Sequence, residues 1–195
     1  MTRVLLLRHP PVADTRRCYG ALDVALAEDW RQHARRLLPL MPEQAVLVSS
    51  PAERCRRVAE WLLEHAAPRR GVPSGWRRWR LGARIVGNEP LVDERLREMS
   101  FGAWEGRVWQ DLDPEALQWW KADPVNRAPP GGECLADVHI RVASWLTEAR
   151  RRWTDRTVLC VTHVGVIRCL LAHASATPLS EVFATPVDFC ELLEL

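Results

Sequence analysis

The chain has 195 residues, 47% of them hydrophobic, which is enough to bury one core and suits a single domain. Its 27 basic and 25 acidic residues leave a formal net charge of +2, which gives no general surface for nucleic acid or other polyanions. The apolar run Val4–Leu7 is too short for a signal peptide, and no later run has the length of a membrane span. We therefore expect one cytoplasmic domain over residues 1–195, with no membrane partner.

The cysteines and most histidines show no pattern of metal ligands. The six cysteines form no CxxC pair, and several fall in apolar strand or helix patterns. We expect them to be reduced and mostly buried. The histidines outside the motifs discussed below are His33, His65, His139 and His173, and they have no evident ligand partners. The sequence therefore predicts neither a metal nor another cofactor, and activity that survives EDTA.

Short apolar runs alternate with helical patterns along the chain. Buried strands are predicted at 3–7, 45–48 and 157–161, with a final strand at 189–193. Helices are predicted at 30–41, 55–62, 135–153 and 166–174. Ser49 and Ser50 before Pro51 predict the cap of the second helix. This alternation predicts an α/β fold, a three-layer α/β/α domain with a mostly parallel sheet covered on both faces.

One segment interrupts the alternation. Residues 67–90 contain glycines, prolines and a cluster of arginine and tryptophan, including Trp76 and Trp79. We interpret this segment as a long, partly irregular insertion.

Polar residues follow three of the predicted strands. Arg8 and His9 come directly after the first strand, Arg54 lies one helical turn beyond the second, and His163 follows the third. The carboxyl ends of parallel strands face one crevice, so these residues can converge there. Helix amino termini at the same edge favour anions, and arginine can clasp phosphate oxygens through paired hydrogen bonds. The predicted ligand is a phosphate group.

The sequence resembles the histidine phosphatase superfamily, also called the phosphoglycerate mutase-like superfamily. The resemblance covers nearly the whole chain and rests on five ordered motifs: Leu7–His9, Ser49–Arg54, Leu96–Gly106, Pro130–Glu133 and Val161–Gly165. It implies a phosphoglycerate mutase-like fold and a phosphomonoester hydrolase that needs no cofactor.

The resemblance also implies roles for individual residues. His9 is the nucleophile that becomes transiently phosphorylated, while Arg8, Arg54 and His163 hold the phosphoryl oxygens, and Glu98 is the proton donor. Neutral imidazole has a lone pair for attack, and a covalent intermediate divides one difficult displacement into two easier ones. A carboxylic acid is needed because an alkoxide leaves poorly without a proton.

Two features near these motifs stay open. Glu105 is the second choice for the acid, although the family pattern gives it a supporting role. Pro10 stands where relatives usually carry glycine, and proline removes a backbone N–H that could otherwise face the phosphate. The backbone contacts of this loop are therefore expected to differ.

The substrate is expected to be a small phosphorylated metabolite. The stretches His9–Pro11 and Cys18–Leu26 resemble the alpha-ribazole phosphatase branch of cobalamin synthesis, which implies removal of a 5′-phosphate from a nucleotide-like compound. Tyr19 and Glu105 are candidate substrate contacts, and Tyr19 or the tryptophans of the insertion could stack on an aromatic base.

Several alternatives remain at this stage. The nearest is a broad-specificity sugar or nucleotide phosphatase. A phosphoglycerate mutase-like enzyme is weaker, because such mutases need long insertions and a C-terminal tail to retain a bisphosphorylated intermediate, whereas this chain stops at Leu195. A more distant alternative is an inactive phosphate-binding protein or an RNA-binding protein. We expect no nucleic-acid partner, and either a monomer or a homodimer.

Overall fold

A computed structural model of the protein describes residues 1–42, 44–66 and 89–195. Most of the insertion predicted at 67–90 therefore lies outside the described residues. Within them, five strands form one sheet in the order β3-β2-β4-β1-β5. The strands are β1 (Arg3–Arg8), β2 (Val46–Ser49), β3 (Leu91–Val92), β4 (Thr157–Thr162) and β5 (Leu192–Glu194). All neighbouring pairs are parallel except β1 and β5. The predicted mostly parallel sheet is confirmed.

The α-helices are α1 (Trp30–Leu37), α2 (Glu53–His65), α3 (Pro114–Ala122), α4 (Leu135–Arg152) and α5 (Val164–Ser175). Short 3-10 helices lie at Leu38–Leu40, Glu94–Leu96, Gly102–Trp104, Trp109–Asp111 and Leu179–Ala184. The long connection between β3 and α4 thus contains several tight turns and one helix.

Two hydrophobic cores lie on opposite faces of the sheet, because successive side chains of a strand point in opposite directions. Leu6 of β1 belongs to the core that includes the buried faces of α4 and α5. Leu5 and Leu7 belong to the core that includes α1 and α2. The buried faces of helices on both sides explain the nearly continuous apolar runs of β1 and β4. The three-layer α/β/α architecture is confirmed.

The strand register brings the polar strand ends together. Arg8 of β1 pairs with Thr162 of β4, and Ser49 of β2 pairs with Val161. The residues that follow these strands therefore leave the same edge of the sheet side by side.

The predicted bounds of two elements were wrong. Helix α1 ends at Leu37 and not at Met41, because Pro39 lacks an N–H and falls in the 3-10 turn that follows. The last strand covers Leu192–Glu194 and not 189–193, because Cys190 has a φ of 60°, which a strand cannot contain.

The predicted serine cap was also wrong. Helix α2 begins at Glu53, and the residue before it, Ala52, has no side chain that could cap it. The hydroxyl of Ser50 instead accepts a hydrogen bond from the Ala52 amide at 3.3 Å and contacts His163.

Candidate functional site

His9 is buried just beyond β1, with 3% of its surface exposed. Its backbone N–H donates to the carbonyl of Thr162, which extends the pairing of β1 and β4 by one residue. The ring atom Nδ1 lies 2.7 Å from the carbonyl oxygen of Pro10. Because a carbonyl can only accept, Nδ1 carries the hydrogen and Nε2 has the free lone pair. Thus Pro10 removes an N–H from this loop, but its carbonyl fixes the tautomer of His9.

The charge state of His9 follows from its surroundings. Burial lowers its pKa to about 3, and the nearby positive charges of Arg54 and Arg8 act in the same direction. The imidazole is therefore neutral at physiological pH, which is the state that can act as a nucleophile.

His163 lies beside His9 at the start of α5. It is fully buried, and the centroids of the two rings are 5.2 Å apart in an edge-to-face arrangement. Its Nε2 atom lies 2.7 Å from the hydroxyl oxygen of Ser50, and the Cys55 thiol is 3.5 Å from the same nitrogen. Burial, followed by the charge of Arg54, holds the pKa of His163 well below its usual value. This second imidazole is also neutral.

Arg8 contributes a positive charge beside His9. Its Nη1 donates to the carbonyl oxygen of Val187 at 2.6 Å, and its guanidinium lies 3.7 Å from the centroid of the Phe189 ring. Within the described residues its buried Nε–H has no hydrogen-bond partner. Since buried donors are normally paired, this N–H is available to an anion.

Arg54 is 1% exposed and is held by the loop that follows Tyr19. Its Nη1 and Nη2 donate to the carbonyl oxygens of Leu22 and Gly20, at 2.9 and 2.6 Å. Its buried Nε–H lacks an acceptor among the described residues. The Asp23 carboxylate, 3.6 Å away, balances part of its charge.

We call Arg8, His9, Arg54 and His163 the strand-end cluster. Two neutral imidazoles and two guanidiniums are thus brought together from three separate parts of the chain. The cluster can offer one nucleophilic nitrogen and several donors to a phosphoryl group.

Glu98 faces the cluster from the long connection between β3 and α4. It is 8% exposed, and its carboxylate accepts hydrogen bonds from the backbone N–H groups of Met99 and Gly165, at 3.0 and 3.2 Å. A Cβ at position 165 would meet the Glu98 carboxylate, so glycine there lets this side chain keep its position. Glu98 and His163 are therefore both fixed at the first turn of α5.

An ion pair anchors the segment that carries Glu98. Arg141 of α4 donates to both carboxylate oxygens of Glu133 and also to the carbonyl oxygens of Arg95 and Arg97. Glu133 in turn accepts from the backbone N–H of Ser100. The residues on either side of Glu98 are thereby tied to α4.

The carboxylate of Glu105 is engaged by the backbone of the protein itself. Its carboxylate accepts hydrogen bonds from four backbone N–H groups, those of Gly20, Ala21, Leu22 and Phe101, at 2.8–3.1 Å. The carbonyl groups of Gly20 and Leu22 are the ones that hold Arg54. These contacts favour a positioning role for Glu105.

A cavity of about 270 Å³ connects the reactive side chains with a largely apolar region. Its polar lining includes Arg8, His9, Arg17, Glu98 and Arg168. Its aromatic lining is formed by Tyr19, Phe101, Trp109, Trp120 and Phe183. Tyr19 is among the lining residues, and Glu105, Arg54 and His163 are not; substrate contact by Tyr19 stays a prediction.

Sequence reasoning missed several residues of this cavity. Arg168 lies on α5, five residues after His163, and burial lowers the pKa of its guanidinium while the charge of Glu98 opposes that shift. Its position relative to His163 was a signal that could have been used. Trp109 and Trp120 gave no such signal, because they come from a 3-10 turn and from α3.

The described residues contain no group of three or more side chains suited to hold a metal ion. His139 and His173 do contact each other, with ring nitrogens 3.3 Å apart. In the same part of the chain, every helix is too short or too polar to cross a lipid bilayer.

Comparison with known proteins agrees with the geometry. Residues 63–195 match the model of the histidine phosphatase superfamily, branch 1, a range that contains Glu98 and His163. The chain is 31% identical over 98% of its length to a bifunctional protein of Mycobacterium tuberculosis, of which it covers 49%. The chain therefore spans about half the length of this mycobacterial relative.

Two further relatives are named as phosphatases. The chain is 30% identical to the adenosylcobalamin/alpha-ribazole phosphatase of Salmonella typhimurium, with 67% of this chain and 72% of that protein matched. The solved structure of a mycobacterial glucosyl-3-phosphoglycerate phosphatase with VO3 superimposes with a TM-score of 0.78 at 26% identity. That match covers 98% of this chain and 91% of the other.

Proposed function

Because the chain belongs to the histidine phosphatase superfamily, we propose that it hydrolyses phosphate monoesters through a phosphohistidine formed on His9. One observation carries the proposal: a buried, neutral imidazole with its lone pair on Nε2 stands beside two arginines whose Nε–H groups have no hydrogen-bond partner within the described residues. A scaffold protein that only bound phosphate would not need this tautomer.

In the first step, Nε2 of His9 attacks the phosphorus atom while the bond from phosphorus to the alcohol oxygen breaks. Glu98, in its protonated form, gives its proton to the departing oxygen, so that an alcohol leaves. Arg8, Arg54 and His163 donate hydrogen bonds to the phosphoryl oxygens and stabilise their negative charge in the transition state.

In the second step, water attacks the phosphohistidine. The Glu98 carboxylate takes one proton from that water, the N–P bond breaks, and inorganic phosphate leaves. Both steps use the same carboxylate, which the Met99 and Gly165 amides hold in place throughout.

For the substrate, we propose alpha-ribazole 5′-phosphate, a small phosphorylated metabolite of cobalamin synthesis. The similarity to the Salmonella phosphatase and the position of Tyr19 in the cavity lining support this choice. Turnover of alpha-ribazole 5′-phosphate should exceed that of p-nitrophenyl phosphate in steady-state assays. Equal turnover would favour the broad-specificity phosphatase.

The decisive experiment traps the intermediate. The protein is mixed with ³²P-labelled substrate, quenched rapidly, and tested for acid-labile phosphate on the polypeptide. We expect label on the wild type and none on His9→Ala. Equal labelling of the two proteins would exclude His9 as the nucleophile.

We propose that the reaction needs neither a metal nor another cofactor, since the roles of nucleophile, acid and anion ligand are all filled by side chains. Activity should therefore persist in EDTA. We also propose a cytoplasmic monomer or homodimer that does not bind nucleic acid, and a salt titration with RNA should reveal no salt-sensitive affinity.

A further inference from the structure

Beyond the reactive side chains, the cavity continues along three aromatic residues, Phe101, Trp109 and Trp120, which we call the aromatic wall. From this wall we infer that the enzyme recognises a flat aromatic ring on the alcohol half of its substrate, with Trp109 as the specificity residue. The inference rests on the proposed phosphatase function, and it names the class of substrate.

The aromatic wall belongs to the same cavity as His9 and Glu98. A phosphate monoester bound at His9 must direct its alcohol portion away from the strand-end cluster, because the leaving oxygen has to face Glu98. The space on that side is bounded by aromatic rings and by the apolar side chains of Met99 and Leu135. The alcohol portion therefore meets a surface that favours apolar, flat groups.

The rings of the wall are rigidly packed. Phe101 contacts Trp109 edge to face, with centroids 5.4 Å apart, and contacts Trp120 at 5.8 Å. Trp120 packs in the same manner against Trp104, which is buried. A preformed wall of this kind loses little conformational entropy when a ring binds to it.

Backbone contacts fix the wall to the loop that carries Tyr19. The Trp109 amide donates to the carbonyl oxygen of Arg16, and Arg17 forms a β-bridge with Val108. On the other side, Asp113 caps α3, the helix that carries Trp120, by accepting hydrogen bonds from the first helical amides. Main-chain contacts therefore hold Trp109 against Arg16 and Arg17, which precede Tyr19 in the same loop.

Such a wall discriminates among phosphate esters. A ring that stacks on Trp109 gains contact area, and the face that it presents to the wall carries no hydroxyl group. A sugar phosphate in the same position would press hydroxyl groups against apolar rings and lose their hydrogen bonds to water. The cavity should therefore prefer nucleoside-like phosphates to simple sugar phosphates.

The test uses two substrates that carry the same 5′-phosphate on a ribose, adenosine 5′-monophosphate and ribose 5-phosphate. For the wild type we expect kcat/KM to be at least tenfold higher for the nucleotide. Trp109→Ala should lose at least five times more activity on the nucleotide than on ribose 5-phosphate, mainly through KM. Trp109→Phe, which keeps a ring, should retain most of the preference.

Trp119→Ala provides the matched control. Trp119 lies next to Trp120 on α3 but is 52% exposed, and Arg127 covers its ring. This variant should keep the wild-type preference. A wild-type ratio near one, or a Trp109→Ala variant that loses both activities equally, would overturn the inference.

A failure of the phosphatase proposal gives a different result. In that case neither compound is hydrolysed, and no label appears on His9. The ring preference is then read from the binding of the two compounds by calorimetry. Tenfold tighter binding of the nucleotide, reduced by Trp109→Ala, would support ring recognition, and equal binding would reject it.

Discussion

The strand-end cluster and the aromatic wall lie in one site but are built in different ways. His9 and His163 follow directly on the paired strands β1 and β4, and Arg54 lies on the helix that follows β2, which pairs with β4. Phe101 and Trp109 come from 3-10 turns and loops of the long connection, and their positions depend on side chains elsewhere. The sheet thus positions the residues of the proposed chemistry, and loops position the residues proposed to recognise the alcohol.

This difference has a consequence for stability and specificity. A substitution in the cluster changes a reactive group whose position the sheet hydrogen bonds maintain. A substitution that releases the long connection, for example at Glu105, alters the geometry of Arg54 and of the wall together. Variants of the two kinds should therefore be separable in experiments.

Among variants that keep the proposed nucleophile, the largest effect should come from Arg54→Met. This variant removes a donor to the phosphoryl oxygens and a charge, and loss of one preorganised donor costs about 10²- to 10³-fold in kcat. We expect a decrease of about 10³-fold in kcat/KM, measured with p-nitrophenyl phosphate. Arg57→Met is the matched control, since Arg57 lies on the same helix, is 44% exposed, and contacts Glu53 and the ring of Trp30. A loss of less than tenfold for Arg54→Met would remove it from the phosphate site.

The next largest effect is expected for Glu98→Gln. An amide cannot donate a proton to the leaving oxygen, and positioned acids contribute about 10²- to 10⁴-fold. The decrease in kcat should be greater for an alkyl phosphate than for p-nitrophenyl phosphate, whose leaving group needs little protonation. Glu94→Gln, at an exposed residue that pairs with Arg97, serves as the control. Equal losses on both substrates would argue against Glu98 as the acid.

Much of the strand-end cluster could be predicted from the sequence. The apolar runs before His9 and His163 are buried on both sides, so they read as parallel strands, and parallel strands place their carboxyl ends together. The positions of Arg8, His9, Arg54 and His163 follow from that rule. Glu98 could be predicted only from the family motif, because its position depends on the Arg141–Glu133 ion pair and on the packing of α5.

The aromatic wall could not be predicted, for a physical reason. Trp119 and Trp120 are adjacent in sequence, yet one is 52% and the other 8% exposed. Which of them faces the cavity depends on the direction in which α3 docks, and the connection around α3 is too irregular to show that in its hydrophobic pattern. The sequence therefore offers the tryptophans of the insertion, and not Trp109 or Trp120, as candidates to stack on an aromatic base. Most of that insertion lies outside the described residues.

Glu105→Gln is expected to have a smaller effect on activity than either catalytic variant, together with a measurable loss of stability. The amide retains one acceptor oxygen but brings an NH₂ group towards backbone N–H donors. Unsatisfied or opposed donors of this kind cost about 1–3 kcal/mol. We expect the free energy of unfolding to fall by about 2 kcal/mol in urea titrations, with about tenfold lower kcat/KM. Glu115→Gln, on the exposed side of α3, should leave both values nearly unchanged.

The last prediction concerns how the stability of the protein depends on pH. Burial lowers the pKa of His9 to about 3 and that of His163 well below 6.5. Between pH 6.5 and the lowered values, the unfolded chain binds protons that the folded chain does not. The free energy of unfolding should therefore decrease as the pH falls below 6.5, by up to about 1.4 kcal/mol per pH unit for each histidine.

His9→Gln isolates one part of this dependence. Urea titrations between pH 7 and pH 5 should give a shallower slope for this variant than for the wild type, because one of the two buried histidines no longer takes up a proton on unfolding. His33→Gln is the control, since His33 is 31% exposed and pairs with Asp29 on the surface of α1. If His9→Gln and the wild type have the same slope, His9 must be protonated or accessible in the folded chain. The proposal that His9 acts as a neutral nucleophile would then have to be abandoned. The inference about the aromatic wall does not depend on the charge of His9 and would stand.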